Sequence, residues 1–129
     1  MAKQFVVQLK NEPGAMATLA EALAARGVDL RAIGGGSMGD SGHVIMTTAD
    51  DDTARAVLDD GDYTYIEGES ILAEVDDRPG GMARLSRALA DAGVNIIGHL
   101  FLGRWGDRAM FAFVVDKPEV ARPILERKG

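Results

Sequence analysis

The chain contains no cysteine, which excludes disulfide staples and thiolate metal sites. It also lacks any apolar run near the roughly 20 residues that a membrane-spanning helix needs, and neither end reads as a signal peptide. A cytoplasmic protein with no membrane partner is the expectation. Basic charge is scarce: 14 Lys and Arg stand against 20 Asp and Glu, a formal net charge of −6. Nonspecific nucleic-acid binding rests on cations that neutralise phosphates, so no nucleic-acid partner is expected. Histidine is limited to His43 and His99, without repeated spacing to a carboxylate, and neither a metal nor a cofactor is expected. No Ser/His/Asp or Cys/His set can be assembled, since Ser41 beside His43 in a turn is weak support for a nucleophile. The chain does not read as an enzyme.

What is present is a repeat. The 129 residues, 47% hydrophobic and 26% charged, suit one compact unit or two small modules. "NEPGAMATLAEALAARGVDL" (11–30) recurs as "DDRPGGMARLSRALADAGVNI" (76–96), with Pro13-Gly14 and Pro79-Gly80 66 positions apart. At that offset "FVVQL" falls on "ILAEV" and, without a gap, "HVIMTTAD" on "AMFAFVVD". The boundary is expected near Gly68 to Ser70, giving repeats over 1–69 and 70–129.

Each repeat reads as strand, helix, hairpin, helix. Phe5–Leu9 is a short run of β-formers ended by Asn-Glu-Pro-Gly. Met16, Leu19 and Leu23, like Met82, Leu85 and Leu89, then recur at helical spacing, and Gly27 and Gly93 stand where a helix takes a left-handed C-terminal cap. Hairpins follow over Val28–Met38, turned by "GDSG", and Ile96–Gly103, turned by "RWGD". The next helix is read as capped by Asp52, within an Asp50–Asp52 acidic start, and buries Ala54, Val57 and Leu58. Its counterpart carries Pro123 in its interior and should be kinked or short. Tyr63–Glu67 closes the first repeat. The expected fold is α+β: two ferredoxin-like βαββαβ repeats on antiparallel sheet, the second lacking its last strand. Because "EGES" looks like a turn into "ILAEV", Tyr63–Glu67 is expected to pair with both repeats' first strands in one seven-stranded sheet.

The pattern of strand, Asn/Asp-x-Pro-Gly, Met/Leu-rich helix and Gly-Val-Asp/Asn-Leu/Ile resembles the ACT domain, a small regulatory module that typically binds amino acids. The resemblance covers nearly the whole chain twice, as in stand-alone tandem ACT proteins. It implies a free amino acid as ligand, a homodimer that completes sites across a domain interface, and a regulated enzyme or regulator as partner. The loop chemistry fits such a ligand on its own terms. Gly14, Ala15 and Met16, with Gly80, Gly81 and Met82, offer helix N-terminal amides to a carboxylate. Asn11 and Asp77 offer side-chain oxygens to an ammonium group, and Pro13 and Pro79 stiffen the turn. The plainer alternative makes Asn11 and Asp77 helix caps.

Gly34-Gly35-Gly36 interrupt a strand where the second repeat has Leu100, Phe101 and Leu102 at the gapless offset. They leave room for a ligand, another backbone or a bulge. Gly34, Gly35, Asn95 and Arg78 are ligand-adjacent candidates. "GGGSMG" lacks the Gly-Lys-Ser/Thr ending of a phosphate loop. Trp105, between Arg104 and Arg108, is either a partner contact or an exposed turn aromatic. The expected function is a non-catalytic amino-acid-sensing module, with a ligand-free protein–protein assembly module as the alternative.

Overall fold

The computed structural model describes residues 2–126. The chain divides into two compact units at Gly68/Glu69. The first contains β1 (Lys3–Lys10), α1 (Ala15–Ala25), β2 (Leu30–Met38), β3 (Ser41–Thr48), α2 (Asp51–Asp60) and β4 (Tyr65–Glu69). The second contains β5 (Ile71–Asp76), α3 (Gly81–Asp91), β6 (Ile96–Trp105), β7 (Arg108–Val115) and α4 (Pro118–Leu125). The sheets have the orders β2-β3-β1-β4 and β5-β7-β6. This is the ferredoxin-like arrangement, α+β, and among the described residues the second unit has no fourth strand. No helix there is long and apolar enough to cross a membrane.

Each core forms where one sheet face meets its helices. In unit 1, Phe5, Val7, Val44 and Met46 pack with Leu19 and Leu23 of α1 and Ala54, Val57 and Leu58 of α2. In unit 2, Ile71, Ala73, Phe113 and Val115 pack with Leu89, Ala121 and Leu125. Both first helices end alike: Gly27 (φ 74°) and Gly93 (φ 75°) take the left-handed position. The next amides, of Val28 and Val94, donate to Leu23 O and Leu89 O at 3.0 and 2.9 Å, which closes a Schellman cap.

Several expectations need correction. β4 runs through Tyr65–Glu69 instead of Tyr63–Glu67, and the first three residues of "EGES" are strand and not turn. Only Ser70 separates β4 from β5, too little chain for the two-residue loop that the tightest hairpins use. The sheets are therefore separate: β4 pairs with β1, β5 with β7, and no shared seven-stranded sheet forms. The cap of α2 is Asp50, whose side chain accepts from Thr53 N at 3.1 Å, because the helix starts at Asp51, earlier than read. The hairpins turn on two residues each, Gly39-Asp40 and Gly106-Asp107, with φ 62° and 61° at the glycines. α4 is short, eight residues with Pro123 inside.

The repeat is not gapless. Phe5 pairs with Met46, but Ile71, 66 positions after Phe5, pairs with Phe113, 67 after Met46. The extra residue is absorbed by a bulge between Phe101 and Gly103 in β6. Gly34 and Gly35 therefore correspond to Leu100 and Phe101, but Gly36, paired with His43, corresponds to Gly103, paired with Met110.

An ion pair ties α2 to β4. Arg55 donates to Glu67 from Nε at 2.7 Å and from Nη2 at 2.8 Å. That hydrogen bonding holds the Glu67 carboxyl below its ordinary 4.5, against the opposing effect of burial. A carboxylate depressed on folding stabilises above its unfolded pKa and loses that contribution as pH falls through the folded value. Acid titration of stability should therefore steepen below about pH 4.5, and Glu67→Gln should flatten this limb. Equal acid dependence in the two proteins, followed by circular dichroism, would show that the pair carries none of it.

Candidate functional site

The two strand-to-helix loops share one backbone design. Gly14 (φ 89°, ψ −11°) and Gly80 (φ 91°, ψ −10°) occupy the N-cap positions of α1 and α3, and neither helix has a side-chain cap. The left-handed conformation selects glycine there. It also corrects the capping alternative for Asn11 and Asp77, which lie three residues earlier. The first-turn amides, uncapped by any side chain, carry the positive end of the helix dipole.

Both loops are tied to the neighbouring hairpin tip. Asn11 N donates to Asp40 O at 3.1 Å, and Asp77 N to Asp107 O at 2.8 Å. Their side chains then diverge. Asn11 Nδ2 donates to Gly39 O at 2.9 Å, which orients the amide and leaves Oδ1 as the acceptor end. The Asp77 carboxylate instead pairs with Arg104 Nε at 2.8 Å, and Arg104 also stacks on Phe101, 4.7 Å from the ring centre. An incoming ammonium group would meet a free carbonyl oxygen in unit 1 and an occupied carboxylate in unit 2.

A cavity of about 270 Å³ lies beside the first loop and brings together Asn11, Ala15, Met16, Gly34, Gly35 and His43. Pro13 and Gly14 shape the loop without lining this cavity. Beside the second loop, a cavity of about 370 Å³ gathers Asp77, Arg78, Pro79 and Met82 against Arg104 and Phe111. Gly81 faces a different cavity of unit 2. Asn95 is not at either loop: it follows the far end of α3, where its amide donates to Asp116 Oδ1 at 2.8 Å.

Gly35 has a specific cause. A Cβ there would stand 2.1 Å from His43 O and 3.0 Å from Val44 Cα, so its missing side chain admits the backbone of β3. A Cβ on Gly36 would meet nothing within 4 Å. Among the described residues, no group of three or more His, Asp or Glu is placed to hold a metal. Lys10, Glu12 and His43 line the first cavity and escaped the sequence reading as a group. Only the pairing of β1 with β3, Gln8 opposite His43, brings them together. Arg104 was visible as a turn cation, but not as the partner of Asp77.

The ACT domain family model matches residues 70–127. A crystallised protein of Bacteroides thetaiotaomicron has the same fold with a TM-score of 0.74 and 22% identity, over 97% of this chain and 86% of its own. The regulatory subunit of aspartate kinase from Thermus thermophilus, in its ligand-free form, aligns with a TM-score of 0.62 and 20% identity, over 96% and 89%. The corresponding subunit from Thermus flavus gives 0.64 and 18%, over the same shares. None of the curated protein sequences matches.

Proposed function

We propose, from the match of residues 70–127 to the ACT domain family model, that this chain is a non-catalytic regulatory module that binds a free amino acid at its Pro-Gly loops. The supporting observation is the duplicated left-handed glycine that starts each helix without a side-chain cap. In this reading the ligand carboxylate sits on the amides after Gly14, and its ammonium group donates to Asn11 Oδ1. The first loop is the better receptor, since Arg104 already holds Asp77. The second loop accordingly has the stronger case for a purely structural role. Binding would be passed on through a homodimer whose second copy completes the site, or through a regulated enzyme. The resemblance in fold to aspartate kinase regulatory subunits supports the latter route. A ligand transmits a signal only through differential affinity for two states.

A thermal-shift screen of the common amino acids tests the reading. One that binds the folded state raises stability by about 2.7 kcal/mol at a hundredfold excess over its Kd. Asn11→Ala should weaken binding more than Glu12→Ala, and Asp77→Ala should weaken it more than Arg78→Ala only if the second loop also binds. Silence at millimolar ligand, in the screen and in calorimetry, would leave the protein–protein assembly module as the function.

A further inference from the structure

Unit 2 has a further cavity of about 480 Å³ between β5, α3 and α4. Its wall divides in two. Val75, Leu85, Ala88 and Ile124 form an apolar side, while Arg84 and Arg108, with Glu74 and Asp76, form a charged one. An apolar wall with a few convergent polar groups is the usual composition of a small-molecule site.

The two acids of the charged side are outnumbered once Arg78, which lines the neighbouring cavity of the unit, is counted with Arg84 and Arg108. Arg78 Nη2 and Arg84 Nη2 lie 3.3 and 3.4 Å from Asp76 Oδ2. Arg108 holds Asp76 Oδ1 through Nη1, and its Nη2 lies 3.6 Å from Glu74 Oε2. Three guanidinium groups thus share two carboxylates. Each guanidinium presents five N–H donors in a planar fork, and a carboxylate has about four acceptor sites. The Arg108 side chain is only 23% exposed, so its charge is partly withdrawn from water. Arg84 folds back over the start of α3, where a Cβ on Gly80 would lie 2.9 Å from Nη1.

Nothing in unit 1 matches this cluster. The positions corresponding to Asp76, Arg78, Arg84 and Arg108 are Lys10, Glu12, Thr18 and Ser41. The arginines also belong to a wider difference in charge. Met1–Gly68 has five Lys and Arg against eleven Asp and Glu, whereas Glu69–Gly129 has nine of each. Exposed ion pairs contribute little to stability, so neutralising Asp76 and Glu74 does not account for three arginines.

We propose that unit 2 binds an organic acid in this cavity. The carboxylate sits on Arg84 and Arg108, whose planar forks match its geometry, and the hydrocarbon body lies on Leu85, Ala88 and Ile124. This site is distinct from amino-acid binding at the Pro-Gly loops, although Gly81 of the second loop lines it and Val75 and Asp76 border both cavities of the unit.

The test is calorimetric titration of the whole chain, at low ionic strength, with straight-chain monocarboxylates from acetate to octanoate. These probes lack the ammonium group that the Pro-Gly reading requires, so either reading can fail alone. One saturable site per chain is expected, with affinity rising about three- to fourfold per methylene until the apolar wall is covered. Arg84→Gln and Arg108→Gln should each weaken binding by about tenfold or more. Arg87→Gln, on the same helix and paired with Asp91, should leave it unchanged. Asp76→Asn removes the competing carboxylate and should tighten binding severalfold; Glu74→Gln gives the same reading if that variant fails to fold. Three results would each overturn the proposal: no saturable heat, affinity independent of chain length, or weaker binding by Asp76→Asn at an unchanged unfolding midpoint.

Discussion

Gly35→Ala is expected to destabilise unit 1 by about 3 to 5 kcal/mol, the sum of backbone strain and overpacking at one position. Gly35 has φ 153°, in a region that is nearly glycine-only, where a side chain costs of order 1–3 kcal/mol. The new methyl would meet His43 O at 2.1 Å, and the atom in its way is backbone, so no rotamer change relieves the clash. β2 would have to separate from β3 locally, opening the wall that carries Gly34, Gly35 and Gly36 beside the first loop. Chemical denaturation together with amide exchange at Val44 and Ile45 reads the effect. A loss below about 1 kcal/mol, within the ordinary range for point substitutions, would show that β2 can shift without cost. Gly36→Ala is the natural control, since its methyl enters open space.

Phe113→Ala should cost about 3–5 kcal/mol, the range for removing a fully buried aromatic side chain. Phe113 is 1% exposed, pairs with Ile71 and His99, and has Phe111 at 6.1 Å between ring centres. It stands mid-sheet under Leu89, Ala121 and Leu125, so helices and strands lose contacts together. Phe101→Ala, 48% exposed on the same sheet, should cost much less. Paired denaturant titrations of the two variants decide the matter, and comparable losses would mean that the core of unit 2 is not centred on Phe113.

These sites differ in how far they could be read from the chain. The helices were legible because Leu19 and Leu23, and again Leu85 and Leu89, recur at helical spacing, and Gly27 and Gly93 mark their ends chemically. The Pro-Gly loops were legible because they occur twice. The bulge in β6 was not, because a bulge leaves no compositional mark in a run such as Leu100-Phe101-Leu102. Nor was the path from Glu67 to Ile71, where Gly68 and Ser70 have turn-like composition but the extended backbone continues. The caps at Gly14 and Gly80 were obscured by Asn11 and Asp77, residue types that favour the cap position and here bond elsewhere. The arginine cluster of unit 2 depends on Asp76 standing opposite Arg108, a strand pairing that linear spacing does not reveal.

The single extra residue in β6 puts the two copies of the motif out of phase in sequence, and the bulge restores their phase in the sheet. Successive side chains of a strand point to opposite faces, so one insertion inverts the orientation of whatever follows it until a bulge restores the step. Matched by simple counting, Arg104 would take the place of Met38; matched by partner strand, it takes that of Ser37, opposite Gly42 and Ala109. The halves have thereby ceased to be interchangeable parts. A graft of β6 into the other unit would have to carry its bulge with it, or every transplanted side chain beyond the insertion would present the wrong face.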